Sequence, residues 1–548
     1  MPAMRLLLWL LVSLLAFGIG AAPVRADGDP ALFKGWIEAM KTAPRGPFRR
    51  IRWFCNDGEV LAPEPYACQP HGGGIQHGQW NDHTLRMRAA GYPVANVLAE
   101  YGRDGDAVGQ VDRDLLKAIL VERFLVARDN GWIFRKARFY RGALQREDEA
   151  RGESALVRHF ALELDPDSYD YLLLWEATRL LSGDGGVALL VKLRDLATAI
   201  HEQDEGFATL RGKLHAAPSA DDAEAVRDYA QAHADDQTQP LFDELAATID
   251  AFFDPGPLTQ RLRKTARHTI SKPLRSAFLA AAKARQTADA AKRLADGRRL
   301  LEMLRRQLVT ERSAQRRERL LRTGQEIEKD VFAAGSELRQ RLAAATRRQR
   351  IDWLLDSAGT LYGVGLLSPR QWQGVQQSVQ RLRQPRVNLN TYRQELRYLG
   401  RVPRWSARLL DYQFDATIEK FSRIEPLARQ YIPARLRGSV LSFYSVVLDS
   451  LQRDADRLAG VSSELFGIRV SQGLRALNSG MARGRLLRPE AGKPLAEDGI
   501  YLLAETTAEL TPVAGIITLD EGNALSHVQL LAANLGIPNV IVSPALLP

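Results

Sequence analysis

The stretch from residue 261 to 350 constrains the fold of this chain more than any other. It is rich in arginine and in helix-forming residues, and it has no proline after Pro273. The apolar register is lost between Thr310 and Arg319. We predict a long, coiled-coil-like antiparallel hairpin or stalk, through which copies of the chain could associate. The prediction depends on apolar residues spaced seven apart, namely Leu294, Leu301 and Leu308, then Leu320 and Ile327, then Val331 and Leu338.

The arginines of this stretch account for much of the formal net charge of +10. A basic surface of this kind can bind nucleic acid, an anionic membrane or a phosphorylated partner. The same helices carry acidic residues, among them Glu318, Glu326 and Glu328. Because opposite charges three or four positions apart pair on a helix surface, we favour an ion-paired, solvated face over a nucleic-acid interface.

The length of 548 residues and the hydrophobic content of 45% are those of a folded chain with several domains. Amphipathic helical segments precede and follow the hairpin, so the predicted fold class is mainly α, followed by a C-terminal domain that contains strands. The expected divisions are a signal peptide over 1–26, a Cys- and His-containing domain over 27–130, a helical domain over 131–260, the hairpin over 261–350, a second helical domain over 351–470 and the C-terminal domain over 471–548.

The C-terminal domain has the pattern strand, polar loop, helix, strand. Residues 515–518 form a short β-branched run, and residues 520–523 have turn composition. Ser526 occupies the position of a helix N-cap, so His527 falls in the first turn, and Gly536 ends the helix. A histidine at a helix start can accept a phosphoryl group, because the free N–H groups and the helix dipole favour the added anion.

These residues resemble the phosphohistidine swivelling domain of the phosphoenolpyruvate-utilising enzymes, which include phosphoenolpyruvate synthase, pyruvate phosphate dikinase and the α-glucan water dikinases. The matching pattern is Thr-x-x-x-Gly-x-x-x-Ser-His from Thr518 to His527, followed by Gly-Ile-Pro-x-Val. Upstream, residues 480–484 resemble the Gly-x-Ala-x-Gly opening of that domain, and residues 501–504 resemble its central strand.

The resemblance implies that the C-terminal domain has the swivelling β/β/α fold and that the protein is a phosphotransferase with His527 as the catalytic residue. It also implies that the phosphate is positioned by Ser526, Gly522, Asn523 and Thr518. The chain departs from the pyruvate enzymes after Ala524, where a leucine stands in place of their threonine, and this leaves the acceptor open between pyruvate and a glucan.

In the family, ATP and Mg²⁺ bind to an ATP-grasp-like domain that phosphorylates the histidine. No such domain is recognisable before Gly480, so the resemblance implies one on a further C-terminal segment or on a partner chain. One alternative is that the C-terminal domain is incomplete and inactive. The alternative is an exported, non-catalytic helical binding or scaffold protein that retains a swivelling-type domain.

The N-terminus has the pattern of a secretory signal. An apolar run from Leu6 to Val24 follows Arg5 and ends in Val24-Arg-Ala26, which favours cleavage after Ala26. Retention as a membrane anchor is the alternative. Either way the protein is expected to be exported, as a periplasmic or membrane-associated protein. ATP is scarce outside the cytoplasm, so either phosphorylation of His527 uses an unusual donor or the N-terminus is not an export signal.

Cys55 and Cys68 are the two cysteines of the chain, and in an oxidising compartment such a pair predicts a disulfide. Three histidines follow in a glycine-rich stretch, at His71, His77 and His83. They are candidate zinc or copper ligands, although their spacing fits no standard finger. A solvated loop or a loop that contacts the acceptor is the other interpretation.

Overall fold

A computed structural model of the protein describes residues 29–62, 64, 67–95, 98, 100–101, 106–128, 132–134, 143–182, 187–216, 218–254, 256–285, 287–460, 463–465, 468–470, 474–478, 480–489, 495–503, 512–518 and 536–542. The fold is mainly α. Its helices are α1 (Pro30–Thr42), α2 (Asp82–Ala89), α3 (Arg113–Arg128), α4 (Ala143–Glu163), α5 (Asp170–Thr178), α6 (Val187–Gln203), α7 (Ala208–Ala216), α8 (Asp222–His233), α9 (Gln239–Phe253), α10 (Gly256–His268), α11 (Lys272–Ala284), α12 (Ala290–Thr310), α13 (Ala314–Gln340), α14 (Arg347–Gly363), α15 (Pro369–Leu382), α16 (Leu389–Leu399), α17 (Val402–Ser422), α18 (Tyr431–Arg437) and α19 (Leu441–Leu458).

The strands form two small sheets and a hairpin. They are β1 (Phe48–Cys55), β2 (Val60–Leu61), β3 (Gly74–Trp80), β4 (Ser463–Leu465), β5 (Ile468–Val470), β6 (Leu474–Asn478), β7 (Arg485–Leu487), β8 (Gly499–Leu503), β9 (Gly515–Thr518) and β10 (Asn539–Val542). The N-terminal sheet has the antiparallel order β2-β1-β3, and β4 pairs with β5. The C-terminal sheet has the order β6-β10-β9-β8-β7.

Helices α12 and α13 form an antiparallel hairpin. The break between the two helices is only residues 311–313, which is shorter than the loss of apolar register from Thr310 to Arg319 indicates. Helix α13 begins early because the Ser313 side chain caps it by accepting a hydrogen bond from the Arg316 N–H. All seven apolar residues of the seven-residue pattern are buried. The hairpin is not a protruding stalk, because α13 also packs against α4, α10 and α19. It forms the centre of the helical body.

One hydrophobic core joins elements that are far apart in the chain. It extends from Phe33 in α1 to Ala455 in α19 and includes residues of the hairpin. A second core lies within helices α6 to α9, and a small third core, including Tyr501 and Ile516, belongs to the C-terminal sheet. Within the described part of the chain, no helix is both long enough and apolar enough to cross a membrane. The predicted signal peptide over 1–26 lies outside the described residues.

Candidate functional site

The C-terminal sheet is parallel over four of its five strands. Strand β9 lies at its centre, parallel to β8 on one side and to β10 on the other, while β6 runs antiparallel to β10. In this register Thr518, the last residue of β9, lies between Leu503 and Ile541. The carboxyl ends of β8, β9 and β10 therefore meet at one edge, which is where open sheets with parallel strands bind their ligands.

The segment 480–484 crosses the opposite edge of this sheet. A Cβ on Gly480 would lie 2.8 Å from the Pro538 Cγ, and a Cβ on Gly484 would collide with the Asp498 carbonyl oxygen. Between them, Ala482 lies against Gly515. The segment thus passes the amino ends of β10, β9 and β8 in turn before it enters β7. Gly480 and Gly484 lack a Cβ, which lets the backbone of this segment lie close to the ends of the strands.

At the carboxyl edge, the buried side chain that terminates β9 is Thr518. It is 7% exposed, and its hydroxyl oxygen has no hydrogen-bond partner among the described residues. A buried hydroxyl without a partner costs free energy, and such a group in a native structure calls for an explanation. The chain leaves the sheet directly after it. The other sequence-predicted residues of this site, Gly522, Asn523, Ser526 and His527, lie outside the described residues.

The N-terminal cysteines and histidines are arranged around the three-stranded sheet. Cys55, at the end of β1, forms a disulfide with Cys68, and their Cα atoms are 5.2 Å apart. The His71 Nδ1 lies 2.7 Å from the Asp57 Oδ2. Hydrogen bonds from the Glu59 N–H and from His71 lower the pKa of the Asp57 carboxyl.

The three candidate metal ligands are not gathered into one site by the described residues. His83 is stacked on Trp36, with ring centroids 4.3 Å apart, whereas His71 is paired with Asp57. The side chain of His77 lies outside the described residues. Among the described side chains there is no group of three or more His, Cys, Asp or Glu residues that could hold a metal ion.

Several arginines of the hairpin pair with carboxylates. Glu318 accepts from Arg158 and Arg322, and Arg293 reaches both Asp330 and Glu337. This arrangement agrees with the expectation of an ion-paired face. It leaves less uncompensated positive charge for a polyanion than the sequence count suggests.

A buried charge network in the helical body was not anticipated from the sequence. Arg179 bonds to Glu176 and Glu328, while the Arg435 Nε lies 3.0 Å from the Glu176 Oε2. The Tyr431 hydroxyl donates to the same Glu176 oxygen at 3.2 Å. These residues lie far apart in the sequence, so no local pattern could have indicated that they meet. The network connects α5, the residues after it, α13 and α18 through charged hydrogen bonds.

Comparison with protein-family models, with curated proteins and with solved structures gives no match for this chain. The functional assignment therefore depends on the residues and geometry described above.

Proposed function

We propose that the C-terminal segment is a phosphoryl carrier, in which His527 accepts a phosphoryl group and passes it to an acceptor, as in a dikinase-type phosphotransferase. The observation that carries this proposal is the parallel pairing of β9 with β10. Parallel neighbours need a crossover connection of about a dozen or more residues, usually helical. Here that connection is 519–538, and it contains the Ser526-His527 pair.

The position of His527 along this connection supports a role at the carboxyl edge. The connection starts at that edge, after Thr518, and returns to the opposite edge, where the Ile516 N–H bonds to the Pro538 carbonyl oxygen at 2.9 Å. A histidine in the first half of the connection is thus close in sequence to the strand end at which parallel sheets bind ligands. In this proposal Ser526, Gly522 and Asn523 supply donors to the phosphate.

Thr518 has a specific part in the same proposal. Its buried hydroxyl lacks a described partner at the edge where the connection starts. A hydroxyl there can donate to a phosphoryl oxygen, or to a residue of the 519–535 connection that holds the phosphate. This accounts for a polar side chain at the end of an otherwise apolar central strand.

The proposed step balances as an ordinary phosphoryl transfer. A neutral imidazole nitrogen of His527 attacks the β-phosphorus of ATP, the bond from that phosphorus to the α-phosphate oxygen breaks and AMP leaves, and the imidazole proton goes to solvent or a base. Water then removes the γ-phosphoryl group as inorganic phosphate, which leaves the β-phosphoryl group on His527. ATP with Mg²⁺ bound to an ATP-grasp-like domain or partner chain is the proposed donor. Pyruvate or a glucan hydroxyl is the proposed acceptor.

We also propose the domain arrangement that goes with this chemistry, namely a helical body followed by a swivelling domain over 471–548.

Export is proposed separately, from the N-terminal part of the chain. The Cys55–Cys68 disulfide supports an oxidising compartment, since structural disulfides are rare in the cytosol. A periplasmic or membrane-associated protein would then draw its phosphoryl group from a donor in that compartment.

The test is phosphorylation of the full chain. ATP labelled at the β-phosphate and, separately, phosphoramidate as a chemical donor are expected to give acid-labile label on His527. The His527→Ala variant should lose this label. His159→Ala, which removes a half-buried histidine of α4, should retain it. Absence of label on His527 with both donors would refute the proposal.

A second arm of the test uses Thr518→Val, which keeps the shape of the side chain and removes the hydroxyl. The sheet should remain folded, while phosphate loss from His527 should be roughly threefold to tenfold faster, the effect of one hydrogen bond. An unchanged rate of phosphate loss would show that Thr518 does not contact the phosphate or the residues that hold it. The role of His527 would then be decided by the labelling experiment alone.

A further inference from the structure

A small surface cleft lies away from the C-terminal sheet, where the turn between α10 and α11 meets the turn between α12 and α13. His268, at the end of α10, and Gln307, near the end of α12, contribute to its lining together with Arg319 of α13. Its apolar lining includes Ile270 and Leu320. Three helices thus present hydrogen-bond donors to one small space.

The carboxylate of this cleft is already neutralised. Glu311 accepts from the Arg316 Nε and Nη2, each at 2.9 Å, and from the N–H groups of Arg312 and Ser313, each at 2.9 Å. Because its partners satisfy both oxygens, Glu311 presents little net negative charge to a ligand. The Arg316 Nη1 remains without a partner among the described residues.

Arg319 differs from the ion-paired arginines of the hairpin. Arg293, Arg298 and Arg322 each contact a carboxylate. The residues three and four positions from Arg319 are Gln315, Arg316, Arg322 and Thr323, none of them acidic. In the part of the chain that the structure describes, its guanidinium has no ion-pair or hydrogen-bond partner. The side chains of His268 and Gln307 are likewise without one there.

We propose that this cleft binds a small oxyanion of the phosphate class, with Arg319 as the main anchor and His268 and Gln307 as flanking donors. A guanidinium matches two oxygens of a phosphate with two parallel N–H bonds, and imidazole and amide N–H groups supply further single bonds. The bound anion would join the α10–α11 turn to the α12–α13 turn. This proposal does not depend on the function proposed for His527.

The experiment is a calorimetric titration of the full chain with inorganic phosphate at constant ionic strength, chloride being exchanged for phosphate. Wild-type protein should bind saturably at one site. Arg319→Gln should weaken the affinity by about tenfold or more, the effect of losing hydrogen bonds to a charged group. Arg370→Gln is the matched control, because it removes the same charge from an exposed position on α15 and should leave the affinity unchanged.

Two further variants keep the test decisive if Arg319→Gln unfolds. His268→Ala and Gln307→Ala should each weaken phosphate binding by roughly twofold to tenfold, with helical circular dichroism unchanged. Failure of the wild-type protein to saturate would overturn the proposal. So would equal weakening by Arg319→Gln and Arg370→Gln, because both would then act only through net charge.

Discussion

Arg179 holds Glu328 in the middle of the helical body through one nitrogen. Its Nη2 donates to both carboxylate oxygens, at 3.0 and 3.1 Å, and its Nε donates to Glu176 at 2.9 Å. All three side chains are less than one-tenth exposed. The Arg179 guanidinium therefore pairs with two buried carboxylates and connects the segment after α5 to the central helix α13, while Arg435 also pairs with Glu176.

Replacing Arg179 with methionine should lower the free energy of unfolding by about 3–5 kcal/mol, because it leaves buried carboxylates with too little positive charge nearby. Guanidinium denaturation followed by helical circular dichroism would measure the change. Arg227→Met is the control, since its partner Asp250 and Arg227 itself are about half exposed, and it should cost less than about 1 kcal/mol. Equal losses in the two variants would show that burial of the network contributes nothing.

Two glycines in helices should respond to alanine with opposite signs. A Cβ on Gly297 of α12 would collide with the Val331 Cγ2 of α13, whereas a Cβ on Gly212 of α7 has no heavy atom within 4 Å. Gly297→Ala should therefore destabilise the protein by about 1–3 kcal/mol through overpacking. Gly212→Ala should stabilise it by about 0.5–1 kcal/mol, since it improves helix propensity without a contact. Thermal unfolding of both variants tests the hairpin packing directly.

The buried carboxyl of Glu122 in α3 should make the free energy of unfolding depend on pH. Burial raises the pKa of its carboxyl to about 7, against the lowering effects of Arg123 and of the Ala95 N–H. Because the folded-state pKa exceeds the unfolded one, the folded protein binds the extra proton, and this stabilisation is present at low pH and is lost as the pH rises through 7.

Glu122→Gln should remove that dependence. The variant is expected to be more stable than the wild type at pH 8, by about 3 kcal/mol at most, and similar to it near pH 4. Denaturation curves collected across this range would show the two proteins diverging as the pH rises. A constant difference from pH 4 to pH 8 would contradict the assignment.

The Cys55–Cys68 disulfide closes a loop with a sequence separation of 13 residues. Replacing both cysteines with alanine should cost about 3 kcal/mol of stability for the N-terminal sheet, because the unfolded chain regains the entropy that the cross-link removes. Limited proteolysis should then cut between positions 55 and 68 sooner than in the oxidised wild type. The helical body should keep its denaturation midpoint, which serves as the internal control.

Much of the candidate site's framework was predictable from local sequence. The strands at 515–518 and 539–542 follow from short β-branched runs bounded by turn residues. Their parallel pairing and the passage of residues 480–484 across the far edge were not predictable, because strand order is set by packing between segments remote in sequence.

The sequence by itself determined that the chain is mainly helical and where the central hairpin turns, since the spacing of apolar residues and the cap at Ser313 act within a few residues of the chain. Only the tertiary structure decided which charges are buried. Arg305 lies between the rings of Tyr171 and Tyr362, 4.4 Å from each centroid, while Arg319 stays free of any described carboxylate. Both arginines lie on one hairpin, and their environments differ because the neighbouring helices approach one part of its surface and leave another open to solvent.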